Sequence, residues 1–245
     1  KAIARIESQR VNVGNGDKVM KVKFPEPPSS GATVITANQL CKGYGSGKPV
    51  FEDVTFDIGK GERLLVLGLN GAGKTSLLRI LAGETEPTLG AFRFGHNVTV
   101  GYYAQEHDNL RTEESLLANI RAAVPSHIQL TETQLRGMLG MFGLMGDKVF
   151  QDSGTLSGGE KTKLSLATLM VGRNNLLLLD EPTNNLDPPS RQAVADALSA
   201  WKGTIIFVSH DTEFVEQIKP TKVLLMPDGQ VDFFSPDWLE LVSLA

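Results

Sequence analysis

The amino-acid sequence predicts an α/β fold: a parallel sheet with helices, an antiparallel β part beside it, and a helical lobe. Three observations predict it. The runs RLLVLG, LLLLD and TIIFVS are short and continuously apolar, as strands buried on both faces are. Helical patterns separate these runs, and strands alternating with helices imply parallel pairing, with functional loops at the strand C-terminal ends. The stretch between Gln105 and Leu176 carries helical patterns only, so it reads as an inserted lobe.

The bulk numbers agree with one large soluble domain. The chain has 245 residues, 41% hydrophobic and 21% charged. A net charge of −4 excludes a polycation, so any nucleic-acid contact would need a local basic patch. Cys41 is the only cysteine, which excludes an internal disulfide and fits a reducing compartment. No apolar run is long enough to span a bilayer. The chain starts at Lys1 rather than Met, and we expect it to be a piece of a longer protein.

Each element follows in order. Residues 1–32 are polar and basic at first (Lys1, Arg5, Arg10, Lys18, Lys21 and Lys23 against Glu7 and Asp17), are broken by NVGNGD, and end in the linker-like FPEPPSSG. A compact domain is expected over 33–234. TVITANQL and VFEDVTFDI alternate or are β-branched and read as strands with one exposed face. RLLVLG is the first buried strand, and TSLLRILAG a short helix closed by Gly83. AFRF and VTVGYYAQ are two more strands. The lobe, about 106–175, holds the helices TEESLLANIRAAV, stopped by Pro125, TETQLRGMLGMFG and TLSGGEKTKLSLATLM. LLLLD and TIIFVS flank the helix PPSRQAVADALSAW, which has prolines in its first turn. KVLLM and QVDFF form a late β pair around the turn PDG. Residues 235–245 are a final helix with Ser235 as N-cap and Pro236 at the first helical position.

Four motifs carry chemistry. GLNGAGKT, Gly68 to Thr75, matches G-x-x-x-x-G-K-[ST] between a strand and a helix, the context that gives the match meaning. Its glycines let backbone N–H groups point at a phosphate chain, and the helix start adds partial positive charge. Lys74 reaches the β- and γ-phosphates, and the Thr75 hydroxyl can ligate Mg²⁺. In LLLLDEPTNNLD, Asp180 emerges from a buried strand and can hold Mg²⁺, while Glu181 can deprotonate an attacking water. FVSHD ends the third buried strand, and His210 falls beside both acids if the strands are parallel neighbours. Gln105 ends VTVGYYAQ, where an amide can touch the metal or its water. Tyr44, in KGYGSG, is open to two readings, adenine stacking or strand-edge packing.

The fourth motif is a puzzle. Ser157 and Glu160 have capping-box spacing, which explains both as helix-start chemistry. It leaves Gly158 and Gly159 unexplained, since glycine in a first turn costs helix stability. A close backbone approach by a γ-phosphate would explain them, and that phosphate would belong to another domain.

The order of phosphate loop, Gln105, LSGGE, LLLLDEPT, NNLD and SHD resembles the nucleotide-binding domain of ATP-binding cassette (ABC) proteins over roughly Thr33 to Phe234. The resemblance implies an ABC-type P-loop ATPase core and a head-to-tail pair of cassettes with two ATPs at the seam. Each ATP would lie between one cassette's phosphate loop and the other's Ser157–Glu160 element. By the same carry-over, Gly68, Asn70, Gly71, Ala72, Gly73, Lys74, Thr75 and Ser76 contact phosphate and Tyr44 stacks on adenine. Thr75, Gln105 and Asp180 serve Mg²⁺, Glu181 is the base, His210 the switch, and Asn184 to Asp187 the loop that signals across the seam. Glu160, Asn184 and Asn185 stand where transporter cassettes commonly have other residues. VGYYAQEHDNL and GLNGAGKTSLLRILAG also resemble ABC-F proteins, cytoplasmic tandem cassettes without a membrane domain. Many of these act on the ribosome, some protecting it from antibiotics.

That resemblance implies residues 1–32 to be the end of a basic linker entering a second cassette. Its partners would then be the other cassette of the parent chain, or a second copy of this one, and ribosomal RNA. The alternatives are the ATPase subunit of a membrane transporter, which Glu160 and Asn184–Asn185 disfavour, and a non-catalytic ATP-gated clamp, which Glu181 disfavours.

Overall fold

The computed structural model describes residues 20–45, 47–105 and 110–243. Lys1, Arg5, Arg10, Lys18 and the NVGNGD break lie outside the described residues, as do residues 106–109 of the expected lobe and the last two of the chain.

The six-stranded sheet forms where the sequence is continuously apolar. Its order is β5-β6-β7-β3-β8-β9, built from β3 (Arg63–Leu67), β5 (Val100–Tyr103), β6 (Leu176–Asp180), β7 (Thr204–Val208), β8 (Lys222–Leu225) and β9 (Gln230–Phe233). Every pairing is parallel except β8 with β9, the hairpin at the edge. Strand alternation explains why these runs have no polar face. Leu65, Leu67, Leu177, Leu179, Ile205 and Phe207 face one hydrophobic core, and Leu64, Val66, Leu176, Leu178, Ile206 and Val208 face the other.

The second core is closed by a three-stranded antiparallel sheet of order β2-β1-β4, from β1 (Thr33–Lys42), β2 (Phe51–Gly59) and β4 (Leu89–Phe94), and by helix α1 (Lys74–Leu81). Alternation in β2 buries Phe51, Val54, Phe56 and Ile58, most of them on one face. Gly83 ends α1 in the left-handed region, φ 78°, as its place after the last periodic residue predicts.

The first core is closed by α4 (Gly158–Val171), α5 (Pro188–Ala200) and α6 (Thr212–Ile218), and it runs on without a break into the lobe. There α2 (Leu116–Ala122) is capped by Ser115, whose hydroxyl accepts from Ala118 N at 3.1 Å. Next, α3 (Glu132–Met141) is capped by a Thr131–Gln134 capping box. Two short 3-10 helices, Gly146–Phe150 and Ser153–Thr155, lead into α4. Asp187 caps α5, accepting from Ser190 N at 2.9 Å, ahead of the two prolines.

Two local expectations change. The last helix, α7, is only Trp238–Val242, and Ser235 is not its side-chain N-cap. Residues 235–237 form a turn in which the Ser235 carbonyl, not its hydroxyl, accepts from Trp238 N at 3.1 Å. The proline-rich segment is also more tightly held than its linker-like composition suggests. Met20 and Phe24 are buried, Lys21 N donates to Met141 O of the lobe at 3.2 Å, and Trp201 Nε1 donates to Pro25 O at 3.0 Å.

Candidate functional site

The loop Gly68–Gly73 is held in a shape that side chains would forbid. Gly68, Gly71 and Gly73 have φ of 152°, 86° and 90°. A Cβ on Gly68 would sit 2.5 Å from Met226 O, and one on Gly73 would sit 2.7 Å from the Val50 and Phe51 side chains. Gly73 starts α1 with no side-chain cap. The first-turn N–H groups therefore open onto the loop's cavity, the arrangement that suits an anion.

Lys74, 8% exposed, bends back so that its ammonium donates to the Gly68 carbonyl and lies 3.5 Å from Leu69 O. Burial pulls its pKa down, opposed by Glu181 and Asp180. The loop's carbonyls hold the cation where a phosphate would take it over.

Parallel pairing of β6 with β7 sets Asp180 against Val208, which puts the ends DE and SHD side by side. Asp180 is 1% exposed, and its Oδ2 accepts no hydrogen bond among the described residues. Burial raises its pKa, opposed by the Thr75 hydroxyl and then by the charges of Arg79 and Lys74. A buried carboxylate oxygen without a donor, beside a hydroxyl, is the hard-oxygen set that fits a divalent cation such as Mg²⁺. Glu181 is 4% exposed and takes a left-handed backbone, φ 54°. Its Oε2 accepts from His210 N at 3.3 Å. Its Oε1 lies 3.0 Å from His210 Nε2, though no donor among the described residues is aligned on it. Burial, helped by Asp180 and opposed by the His210 amide and Lys74, pushes its pKa up to about 7. Burial and Lys74 push that of His210 down, so the imidazole is neutral at neutral pH.

Most of these residues share one cleft of about 380 Å³, lined by Leu69–Ser76 with Tyr44, Gln105, Asp180, Glu181 and His210; Gly68 stands just behind its lining. Tyr44 is 58% exposed at the rim, and its hydroxyl lies 3.0 Å from Ser76 Oγ. Arg79 and Tyr102 were missed by sequence reasoning: they share a hydrogen bond, and Asp180 acts on both. The helical spacing of Arg79 after Thr75 was a signal that could have found it.

Ser157, Gly158, Gly159 and Glu160 lie outside this cleft. Ser157 and Glu160 form a complete capping box at the start of α4. For Gly159 the structure adds a reason for glycine within the chain itself. A Cβ there would sit 2.6 Å from Asn185 O, so the close backbone approach comes from this chain's own loop. Thr162 Oγ1 donates to Asn184 O at 3.2 Å and Lys163 pairs with Asp187 at 3.2 Å, tying α4 to residues 184–187. Gly158 meets nothing closer than 3.6 Å.

Comparison with known proteins agrees with this geometry. The model of the ABC transporter family matches residues 51–184. The Escherichia coli (strain K12) protein named Probable ATP-binding protein YheS is 36% identical over 222 residues, 90% of this chain and 34% of its own length. ABC transporter F family member 5 of Arabidopsis thaliana is 34% identical over 223 residues, 90% of this chain and 32% of its own. The chain thus spans about a third of the length of the curated relatives it matches. Among solved structures, the dimeric structure of MJ0796, a bacterial ABC transporter cassette, aligns with a TM-score of 0.71 at 19% identity. It covers 82% of this chain and 99% of that one, a likeness of fold.

Proposed function

Because the chain belongs to the ABC transporter family, we propose that it is the ATP-binding and ATP-hydrolysing cassette of a cytoplasmic ABC-F protein that acts on the ribosome. In this reading residues 33–234 are the cassette, with its lobe at about 106–175, and residues 1–32 are the end of a linker from a preceding cassette. The observation that carries the ATPase part is the cleft. A glycine loop with uncapped amides and a buried lysine faces two buried acids, each with an oxygen that accepts no hydrogen bond among the described residues. What supports the ABC-F part is the similarity to F family members of Arabidopsis thaliana, together with Glu160, Asn184 and Asn185.

The loop amides and α1 hold the triphosphate, and Lys74 leaves the Gly68 carbonyl to bridge its terminal phosphates. Thr75, Asp180 and Gln105 would hold Mg²⁺, which when bound supplies positive charge against the phosphate oxygens. Water attacks the γ-phosphorus in line, its proton passes to Glu181, and the bond to the β,γ-bridging oxygen breaks. A carboxylate with a pKa of about 7 is matched to taking that proton near neutral pH. His210 holds the carboxylate through its backbone amide and keeps its neutral ring at the mouth. The Ser157–Glu160 end of α4 caps the ATP of a second cassette in a head-to-tail pair.

Two measurements test this. Phosphate release by the full-length protein should disappear in Glu181→Gln, and that variant should co-sediment with ribosomes in ATP; ribosomes that pellet without it would refute the ribosomal role. Ser157→Arg should bind ATP normally yet fail to pair, and unchanged pairing would refute the role given to α4.

A further inference from the structure

We infer that Lys148 is a positioning residue for the Ser157–Glu160 cap: it neutralises and anchors the Glu160 carboxylate so that the start of α4 can receive a partner cassette's triphosphate. The inference rests on the reading of α4 given above and adds a residue from a different element.

A carboxylate in a first helical turn stabilises the helix it starts, but it repels any second anion brought to the same end. Glu160 occupies that position, and both of its oxygens are engaged. Oε2 accepts from Ser157 N at 3.0 Å and from the Ser157 hydroxyl at 3.1 Å, while Ser157 Oγ accepts from Glu160 N at 3.4 Å. Oε1 accepts from the Lys148 ammonium, which comes from the 3-10 helix Gly146–Phe150. Val149, next to Lys148, is fully buried in the lobe core, so the ammonium is offered from a fixed base.

The pair resolves a conflict at this helix end. Lys148, ahead of the Ser157 hydrogen bonds and against burial, holds the Glu160 carboxyl below the usual carboxylate range. Glu160 is therefore ionised near neutral pH, and without Lys148 a bare negative charge would face the incoming phosphates. Position matters as much as charge. The Ser157 hydroxyl proton is turned toward Glu160, and it must turn outward to meet a phosphate. Lys148 keeps the carboxylate in place when that happens, so the capping box is half-opened rather than lost.

The test uses the full-length protein with Glu181→Gln to block hydrolysis and a fluorophore on each cassette, with closure read by energy transfer as ATP and Mg²⁺ are titrated. Lys148→Ala should raise the ATP concentration for half-closure about 3- to 10-fold, and Lys148→Arg should restore it. In a Glu160→Gln background, Lys148→Ala should add no further shift, since no charge is left to compensate. An equal shift in both backgrounds would make Lys148 a plain structural residue, and no shift in either would remove it from the site; both overturn the inference. A parent that does not close in ATP, or a Ser157→Arg variant that closes as well as the parent, overturns the reading of α4 and the inference with it. Closure lost in Ser157→Arg but untouched in Lys148→Ala sinks the inference alone.

Discussion

The starts of α1 and α4 use similar residues to opposite ends. At α1 a glycine precedes the helix, no side chain caps the first turn, and the lysine that follows is buried against backbone carbonyls. At α4 a serine caps the turn, a glutamate closes the box, and a lysine closes the glutamate. The first end leaves its first turn without a side-chain cap and its buried cation on neutral carbonyls alone, an arrangement that an anionic ligand would improve. At the second, Ser157 N, Glu160 N and the Ser157 hydroxyl are engaged within the chain, so an anion that takes the hydroxyl displaces a bond already made. In the proposed reading, one end binds alone and the other binds as part of a pair.

The sharpest way to break this contrast is at the acids facing α1. Glu181→Gln should lower ATP turnover about 10²–10⁴-fold while ATP still binds, as steady-state phosphate release and nucleotide titration would report. The same variant carries a pH signature. In the folded chain Glu181 holds its proton up to about 7, against an ordinary value of 4.5, so between those values the folded state binds more protons than the unfolded one. Stability of the nucleotide-free protein should then fall as pH rises through that window. Asp180 contributes with the same sign, and Glu62, Glu160 and Asp187, whose pKa values are lowered, with the opposite one. The readout is therefore the difference between the parent and Glu181→Gln across a series of melts. A difference that does not grow over pH 4.5 to 7 would contradict the buried, proton-holding carboxylate.

Lys74→Ala tests the loop itself, with an expected loss of about 10²–10³-fold in turnover or a comparable loss of ATP affinity. Normal turnover would contradict the phosphate-loop assignment. Its counterpart on the α4 side is Gly159→Ala, which acts without any ligand. The new methyl would meet Asn185 O at 2.6 Å, and the loop at 184–187 would have to shift. A loss of about 1–3 kcal/mol in denaturant unfolding is expected for overpacking of this kind.

What was legible in the sequence follows from how local each signal is. GLNGAGKT could be read because strand, loop and helix are contiguous and the glycines have one physical reason each. Asp180, Glu181 and His210 can be brought together from sequence because parallel neighbours β6 and β7 place their C-terminal ends side by side. The contact of Gly159 with Asn185 O is not legible in the sequence, because it involves a backbone atom from a distant loop and no side-chain pattern announces such an approach. Lys148 was invisible because a 3-10 helix, not a helical spacing, delivers it to Glu160. Met20 and Phe24 read as part of a linker, since two apolar residues among prolines and lysines show no period, yet both are buried in the first core. Ser235 reads as a cap because Ser-Pro is a good helix start, but these residues form a turn ahead of the helix.

The smallest predicted effect separates the two helix starts most directly. Ser157→Ala removes the hydroxyl that accepts from Glu160 N and donates to Glu160 Oε2, and capping serines of this kind contribute about 1 kcal/mol. The Lys148–Glu160 pair and the Ser157 N–Glu160 Oε2 bond survive the change, so the loss should stay near that value and α4 should remain folded. No corresponding deletion exists at α1, where the cap position is a glycine with no side chain to lose. If Ser157→Ala costs nothing in unfolding experiments without nucleotide, the hydroxyl is not spent on its own helix, and the contrast between a self-satisfied end and an open one fails at its simplest point.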